Sequence, residues 1–69
     1  MFENYYILKN GEYYLSNLNY DKDNRLYDFE ISKEYKKIYS DFEKAESERK
    51  IVYIEIGLDL EIKKLKEVI

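Results

Sequence analysis

The chain has 69 residues, a net charge of −3, no cysteine and no histidine. It can therefore form neither disulfides nor thiolate or imidazole metal sites, and a metal ion would have to bind to oxygen ligands alone. A chain of this length supports one small hydrophobic core, so we expect a single domain over residues 1–69.

The composition also argues against several classes of function. No serine stands near a recognisable general base, and the two glycines do not form a phosphate-binding loop, so we expect neither an enzyme nor a bound cofactor. No apolar stretch approaches the roughly 20 residues that cross a bilayer, and the first nine residues lack a signal-peptide pattern. We therefore expect a cytoplasmic protein without a membrane partner.

The clearest local signal is an Asn-Gly pair, Asn10-Gly11, between two runs of β-forming residues. This pair favours a two-residue hairpin turn, because both central positions of a type I′ turn need positive φ. With Asn10 and Gly11 as the central residues, Lys9 would face Glu12 across the hairpin.

Both faces of the predicted hairpin carry bulky side chains. One face holds Tyr6, Leu8, Tyr13 and Leu15, with Phe2 as a further candidate, and the other holds Tyr5, Ile7 and Tyr14, with Leu18 as a further candidate. Since one face of such a sheet normally packs on the core, the second face must be covered by another element or expose tyrosines. A homodimer that buries this tyrosine face is one solution.

Residues 26–31 alternate, with Tyr27, Phe29 and Ile31 on the side opposite Leu26, Asp28 and Glu30, as expected for a half-buried strand. A turn at 32–34 would then lead into a short strand over residues 35–39, which completes a second hairpin with the 26–31 strand.

The last third of the chain admits two interpretations. Ser40 and Glu43 match a capping box, so a helix is expected to begin there. We favour a strand over the β-branched segment 51–56 and a final helix over 58–69, in which Leu58, Ile62, Leu65 and Ile69 share a side. The alternative continues the helix through 51–56 and ends with a strand over 58–62.

Together these elements predict an α+β fold. It would contain a small antiparallel sheet of four to five strands, opened by the Asn-Gly hairpin, with one or two helices packed on one face.

Residues 19–30 resemble an EF-hand calcium loop in the spacing of their oxygens. The first position is Asn19 where the motif has Asp, and the sixth is Asn24 where it has Gly. We predict strands on both sides of this segment, whereas an EF-hand loop lies between two helices, so we predict no metal site.

The acidic excess lies in the first half of the chain, beside the tyrosine face. Tyr5, Tyr14 and Tyr27 could stack on bases, but this half lacks the basic groove that accompanies such stacking, so direct nucleic-acid binding is not expected. Tyrosine is favoured at protein interfaces. The predicted protein interface comprises Tyr5, Ile7, Tyr14, Asp21, Asp23, Asp28 and Glu30.

A small, acidic, tyrosine-rich chain without cysteine, histidine or a catalytic motif resembles, in composition alone, the small accessory proteins encoded by phages and mobile elements. These include anti-CRISPR and other anti-defence inhibitors. The resemblance implies a protein that binds a basic, nucleic-acid-binding host protein, by steric occlusion or acidic mimicry. The alternative function is a structural or assembly subunit that acts as a homo-oligomer.

Overall fold

The computed structural model describes the backbone of residues 2–68 and the side chains of residues 4–65. Along the chain the elements are β1 (Phe2–Asn10), β2 (Tyr13–Tyr20), β3 (Leu26–Ser32), α1 (Phe42–Ile56) and β4 (Glu61–Val68). The strands form an antiparallel sheet in the order β3-β2-β1-β4, and α1 packs on one face. The predicted α+β architecture is confirmed, with four strands and one helix among residues 2–68.

The turn of the first hairpin comprises Gly11 and Glu12, since Asn10 pairs with Tyr13 and Lys9 with Tyr14. The predicted pairing of Lys9 with Glu12 is therefore wrong by two positions. Gly11 has a φ of +61°, which glycine adopts without strain. Asn10 stays in β1, where its side-chain amide donates to the backbone carbonyl of Asp59 at 2.9 Å. Because a shift of two positions leaves each side chain on the same face, the predicted division into two faces is retained up to Leu15. It is wrong at Leu18, which lies on the core face with Leu15.

Beyond the turn, the segment 37–39 lies between β1 and β2. Tyr6 and Tyr39 exchange two backbone hydrogen bonds of 2.8 Å, and the Lys37 N–H donates to the Leu15 carbonyl at 2.7 Å. The prediction that residues 35–39 form a strand paired with residues 26–31 is wrong. The Ser32 hydroxyl accepts hydrogen bonds from two backbone N–H groups that follow it, which turns the chain away from β3.

Two irregularities in the β2–β3 ladder decide which side chains reach the core. The first lies between Leu15 and Asn17, and it allows Leu15 and Leu18 to be buried on the same face although they are three positions apart. The second leaves Tyr27 without a paired residue on β2. Leu26 consequently packs against the core and Tyr27 is 72% exposed, so the predicted face of Tyr27, Phe29 and Ile31 is wrong at Tyr27.

Helix α1 begins one residue later than predicted, because Asp41 and not Ser40 is the N-cap. The Asp41 carboxylate accepts a 3.0 Å hydrogen bond from the Glu43 N–H. The helix continues through segment 51–56 and ends at Gly57, which has a φ of +71°. Our preferred strand over 51–56 is therefore wrong. The intrinsic preference of β-branched residues for strands is weak, and the burial of Ile51 and Val52 on the inner side of α1 outweighs it.

The C-terminal segment is strand β4 and not the final helix that we favoured. It pairs with β1 from Lys9–Glu61 to Phe2–Val68, so the backbone hydrogen-bonding groups on the edge of β1 away from β2 find partners in β4. Ile62 packs against the core, whereas Leu65 lies on the opposite sheet face, and Ile69 lies outside the described residues. The alternative order of helix followed by strand is the correct one, but its strand over 58–62 overlaps β4 only at Glu61 and Ile62.

The core lies between α1 and one face of the sheet. It consists of Leu8, Leu15, Leu18, Tyr39, Ala45, Val52 and Leu60. The helix buries only one side, which leaves the other side of the sheet as a second surface. Within the described part of the chain, no helix has the length and apolar character needed to cross a membrane.

Candidate protein interface

The sheet face opposite α1, here called the open face, carries the three aromatic and aliphatic residues of the predicted interface. Tyr5 pairs with Leu65, Ile7 with Lys63 and Tyr14 with Lys9. Because these residues alternate with the core residues of their strands, they lie on the side away from α1. No helix or strand among residues 2–68 packs over this face.

The three residues contribute unequally to the surface. Ile7 is 3% exposed and therefore lies beneath the surface, whereas Tyr5 and Tyr14 are half-buried. The Lys36 ammonium stands 4.5 Å from the centre of the Tyr14 ring, within the range of a cation–π contact. The two tyrosines thus provide the aromatic surface that the chain presents on the open face.

Two of the predicted acidic residues, Asp28 and Glu30, are exposed on the same face, at edge strand β3. The Asp28 carboxylate accepts hydrogen bonds from the side-chain amides of Asn17 at 2.7 Å and Asn19 at 3.1 Å. The Ser16 hydroxyl donates to the backbone carbonyl of Glu30 at 3.0 Å. The two amide hydrogen bonds restrain Asp28 before any partner binds, which lowers the entropy cost of a contact.

The other two predicted acidic residues lie in the β2–β3 turn. One carboxylate oxygen of Asp21 accepts 2.9 Å hydrogen bonds from the backbone N–H groups of Asp23 and Arg25, so Asp21 stabilises the turn itself. Asp23 lines a groove beside α1. The structure therefore brings Tyr5, Ile7, Tyr14, Asp28 and Glu30 to one face and places Asp21 and Asp23 apart from them.

The resemblance of residues 19–30 to a calcium loop is not reflected in the geometry. Asn19 and Asp28 face each other as paired strand residues and hydrogen-bond together, and Asp21 is engaged with its own turn. Among the described residues, no group of three or more acidic side chains is arranged to hold a metal ion.

A buried carboxylate that the sequence pattern did not reveal lies under α1. Glu48 is 2% exposed and accepts hydrogen bonds from the Tyr39 hydroxyl and, at 2.8 Å, from the Tyr20 hydroxyl. The Lys37 ammonium lies 3.2 Å from one carboxylate oxygen and the Lys44 ammonium 3.5 Å from the other. Glu48 therefore joins α1 to β2 and to the segment 37–39 that separates β1 from β2.

The environment of Glu48 favours its charged form. Burial by itself raises the pKa of a carboxyl group, but the hydrogen bonds from Tyr39, Tyr20 and Lys37 outweigh burial and hold the pKa of Glu48 below its usual value. Burial, and then the hydrogen bond to Glu48, raises the pKa of the Tyr39 hydroxyl well above 10.0. The pair is thus a carboxylate bound by a neutral phenol, enclosed in the core.

We expect acid to weaken the fold through this carboxylate. A folded-state pKa below the unfolded value adds stability above the unfolded pKa of 4.5, and this stability is lost as the pH falls through the folded pKa. Urea midpoints measured from pH 7 down to pH 3 should fall more steeply for the wild type than for Glu48→Gln, which cannot titrate at this position. Parallel profiles for the two proteins would contradict this assignment.

A groove of about 460 Å³ runs along the outer side of α1. Its apolar lining includes Phe42, Ile51 and Ile54, and the residues Asp23, Asn24 and Arg25 of the β2–β3 turn form the opposite wall. We did not predict this groove, because we assigned residues 51–56 to a strand, whereas these residues are helical and three of them line the groove.

Comparison of the chain with protein-family models, with curated proteins and with solved structures found no match. Among residues 4–65, the open face and the groove along α1 are accessible from outside the protein, whereas the buried Glu48 is enclosed by its own partners.

Proposed function

We propose that the chain is a small non-enzymatic protein-binding module whose contact surface is the open face. The observation that carries the proposal is the position of Tyr5 and Tyr14 on the same sheet face as Asp28 and Glu30, although the two pairs are distant in sequence. Tyrosines beside restrained carboxylates are typical of protein interfaces, because the ring supplies apolar area and the carboxylate supplies orientation.

The charge at the β3 edge of the open face favours a basic partner, whereas Lys9, Lys36 and Lys63 lie near the tyrosines. Asp28 and Glu30 alternate with the core residue Phe29 along β3, so their carboxylates stand side by side at the edge of the sheet. A partner with arginine or lysine side chains at matching spacing would form charge-assisted hydrogen bonds with them. Nucleic-acid-binding proteins present such basic rows to phosphates, and the chain would act by covering that row.

On this proposal the chain is an inhibitor of the anti-defence kind that its composition resembles. Binding would exclude nucleic acid from a basic groove of a host protein, either by steric occlusion or because the carboxylates take the place of phosphates. Such an inhibitor needs no catalytic group. It needs a stable fold and one complementary face, both of which a 69-residue domain can supply.

Charge reversal on the open face tests this proposal. We expect Asp28→Lys with Glu30→Lys to reduce binding of the captured partner by about tenfold or more, since two favourable charge contacts become repulsive. The matched control is Glu34→Lys with Asp59→Lys, which changes the net charge equally at exposed positions outside β3. Affinity capture from a lysate, with the retained proteins quantified by mass spectrometry, compares the two variants.

The mode of inhibition has its own measurement. A captured partner should bind a labelled oligonucleotide more weakly in the presence of the chain, and the double lysine variant should restore that binding. If the two double variants retain the same proteins in equal amounts, or if the partner binds nucleic acid and the chain together, the proposal is wrong.

A further inference from the structure

Strand β3 is one edge of the sheet, and within residues 2–68 no strand pairs with its outer side. Four of its seven residues are exposed, namely Tyr27, Asp28, Glu30 and Ile31. An uncovered edge presents unpaired backbone N–H and C=O groups, and an extended segment of another chain can add to them as a further strand. The outer side of β3 is therefore a surface to which a strand can bind.

Two hydrogen bonds show which backbone groups of β3 face outward. The Glu30 carbonyl accepts a hydrogen bond from a side-chain hydroxyl on β2, so it points toward β2. The Leu15 carbonyl accepts from the Lys37 N–H on the other side of β2, so Leu15 and its paired residue Ile31 do not hydrogen-bond to each other. Because these groups alternate in direction along a strand, the N–H and C=O groups of Phe29 and Ile31 point outward.

The two edges of the sheet differ in the side chains that they carry. On β4, Lys63 and Lys64 are both exposed, and lysine on an edge strand is a common means of preventing pairing with another chain. Strand β3 contains neither lysine nor proline over Leu26–Ser32. Its charged residues are Asp28 and Glu30, so this edge repels an acidic strand and attracts a basic one.

We propose that a basic, extended segment of the partner protein adds to β3 as an antiparallel fifth strand of the sheet. The inference rests on the proposed function, because it states how the contact at Asp28 and Glu30 is made. The three pairs of neighbouring strands in this sheet are antiparallel, and parallel pairing is slightly less stable per residue. Arginine or lysine at alternate positions of the segment would lie opposite Asp28 and Glu30 on the open face.

The intervening side chains of the added segment would lie on the other face of the sheet. There they would stand beside Phe29 and Ile31, which share the core side because they pair with Leu18 and Leu15. Ile31 is 40% exposed, so an apolar or β-branched side chain opposite it would cover apolar surface. The segment that fits β3 therefore alternates basic with β-branched or apolar residues.

A second copy of this chain does not supply such a segment through its own lysine-bearing edge. On the open face of β4, Glu61, Lys63 and Leu65 follow one another. In any antiparallel register, at most one of Asp28 and Glu30 would lie opposite a lysine of β4. Repeated pairing of β3 with β4 would also leave a free β3 at the end of every assembly, so the assembly would not close.

A fluorescein-labelled peptide of alternating arginine and threonine, as long as β3, tests the contact by fluorescence anisotropy. With arginine opposite Asp28 and Glu30 in an antiparallel pair, the threonine N–H groups face β3 and the arginine N–H groups face away. N-methylation of the threonines should weaken binding by about tenfold or more, whereas N-methylation of the arginines, the matched control, should change it little. Equal binding of the two methylated peptides, or no binding of the unmethylated peptide, would overturn the proposal.

Amide hydrogen exchange shows where the peptide binds. With saturating peptide, the Phe29 and Ile31 amides should exchange about tenfold more slowly, because hydrogen bonding protects an amide, whereas the amides of β4 should be unaffected. Sedimentation of the chain alone should give a monomer at the same concentration. Open-ended assembly that the peptide does not reverse would show that a second copy occupies β3, and the proposal would be wrong.

The Asp28→Lys and Glu30→Lys variant separates this proposal from the proposed function. If the variant binds the peptide more weakly than the wild type, but the wild-type Phe29 and Ile31 amides are not slowed by the peptide, the acidic contact stands and strand addition is wrong. If the amides are slowed equally in the variant and the wild type, a strand adds without the acidic contact. That second result contradicts both the choice of a basic segment and the proposed function.

Discussion

Replacing Glu48 with alanine is expected to lower the free energy of unfolding by about 3–5 kcal/mol. The substitution leaves the Tyr39 hydroxyl, which is enclosed in the core, without its acceptor, and it leaves the half-buried Lys37 ammonium without its carboxylate. Small domains have total stabilities toward the low end of about 5–15 kcal/mol, so much of the variant should be unfolded at room temperature. Urea denaturation followed by circular dichroism measures the change.

Two further substitutions separate the buried charge from general effects of removing a glutamate. Glu46→Ala breaks the pair with Arg49 on the helix surface and should shift the urea midpoint far less than Glu48→Ala. Tyr39→Phe keeps the ring but removes the hydroxyl, and should cost about 1–3 kcal/mol because the carboxylate loses a buried donor. Equal midpoints for Glu46→Ala and Glu48→Ala would show that the Glu48 cluster does not stabilise the fold.

We expect Val52→Lys to abolish cooperative folding and Ile54→Lys to change the free energy of unfolding by less than about 0.5 kcal/mol. Val52 is fully buried against the sheet, where an ammonium group would have no partner, whereas Ile54 is 76% exposed. In a strand the two residues would share a face and respond alike. Thermal unfolding of the pair, followed by circular dichroism, therefore distinguishes the helix from the strand at 51–56.

Comparable destabilisation by Val52→Lys and Ile54→Lys would contradict the assignment of residues 51–56 to α1.

The hairpin was predictable from the sequence because its determinants are local. Gly11 supplies positive φ between two β-forming runs, and the alternation of side chains assigns Leu8 and Leu15 to one face and Ile7 and Tyr14 to the other. The register was not predictable from the same residues. A turn at Asn10-Gly11 and a turn at Gly11-Glu12 have similar local conformational preferences. The register in the structure allows the Asn10 side-chain amide to donate a hydrogen bond to the Asp59 carbonyl, 49 positions away.

The segment 51–56 shows the limit of local preference. Its β-branched residues favour a strand, but a helix that continues from Asp41 buries Ile51 and Val52 beside the core, and Gly57 can end that helix in the left-handed conformation. The next segment can then extend along β1 as β4. The gain from this burial and pairing exceeds a preference worth only a few tenths of a kcal/mol per residue, by the usual scale of about 0–0.7 kcal/mol.

The sequence by itself determined the α+β class, the position of the first hairpin and its two faces as far as Leu15, since these follow from residue types and spacings of a few positions. Only the tertiary structure decided that the segment 37–39 separates β1 from β2, that Glu48 is buried beneath it, and that Asp28 and Glu30 share a face with Tyr5 and Tyr14 while Asp23 does not. The physical reason is that these outcomes depend on contacts between distant residues, whose free energies exceed local preferences and leave no periodic pattern in the sequence.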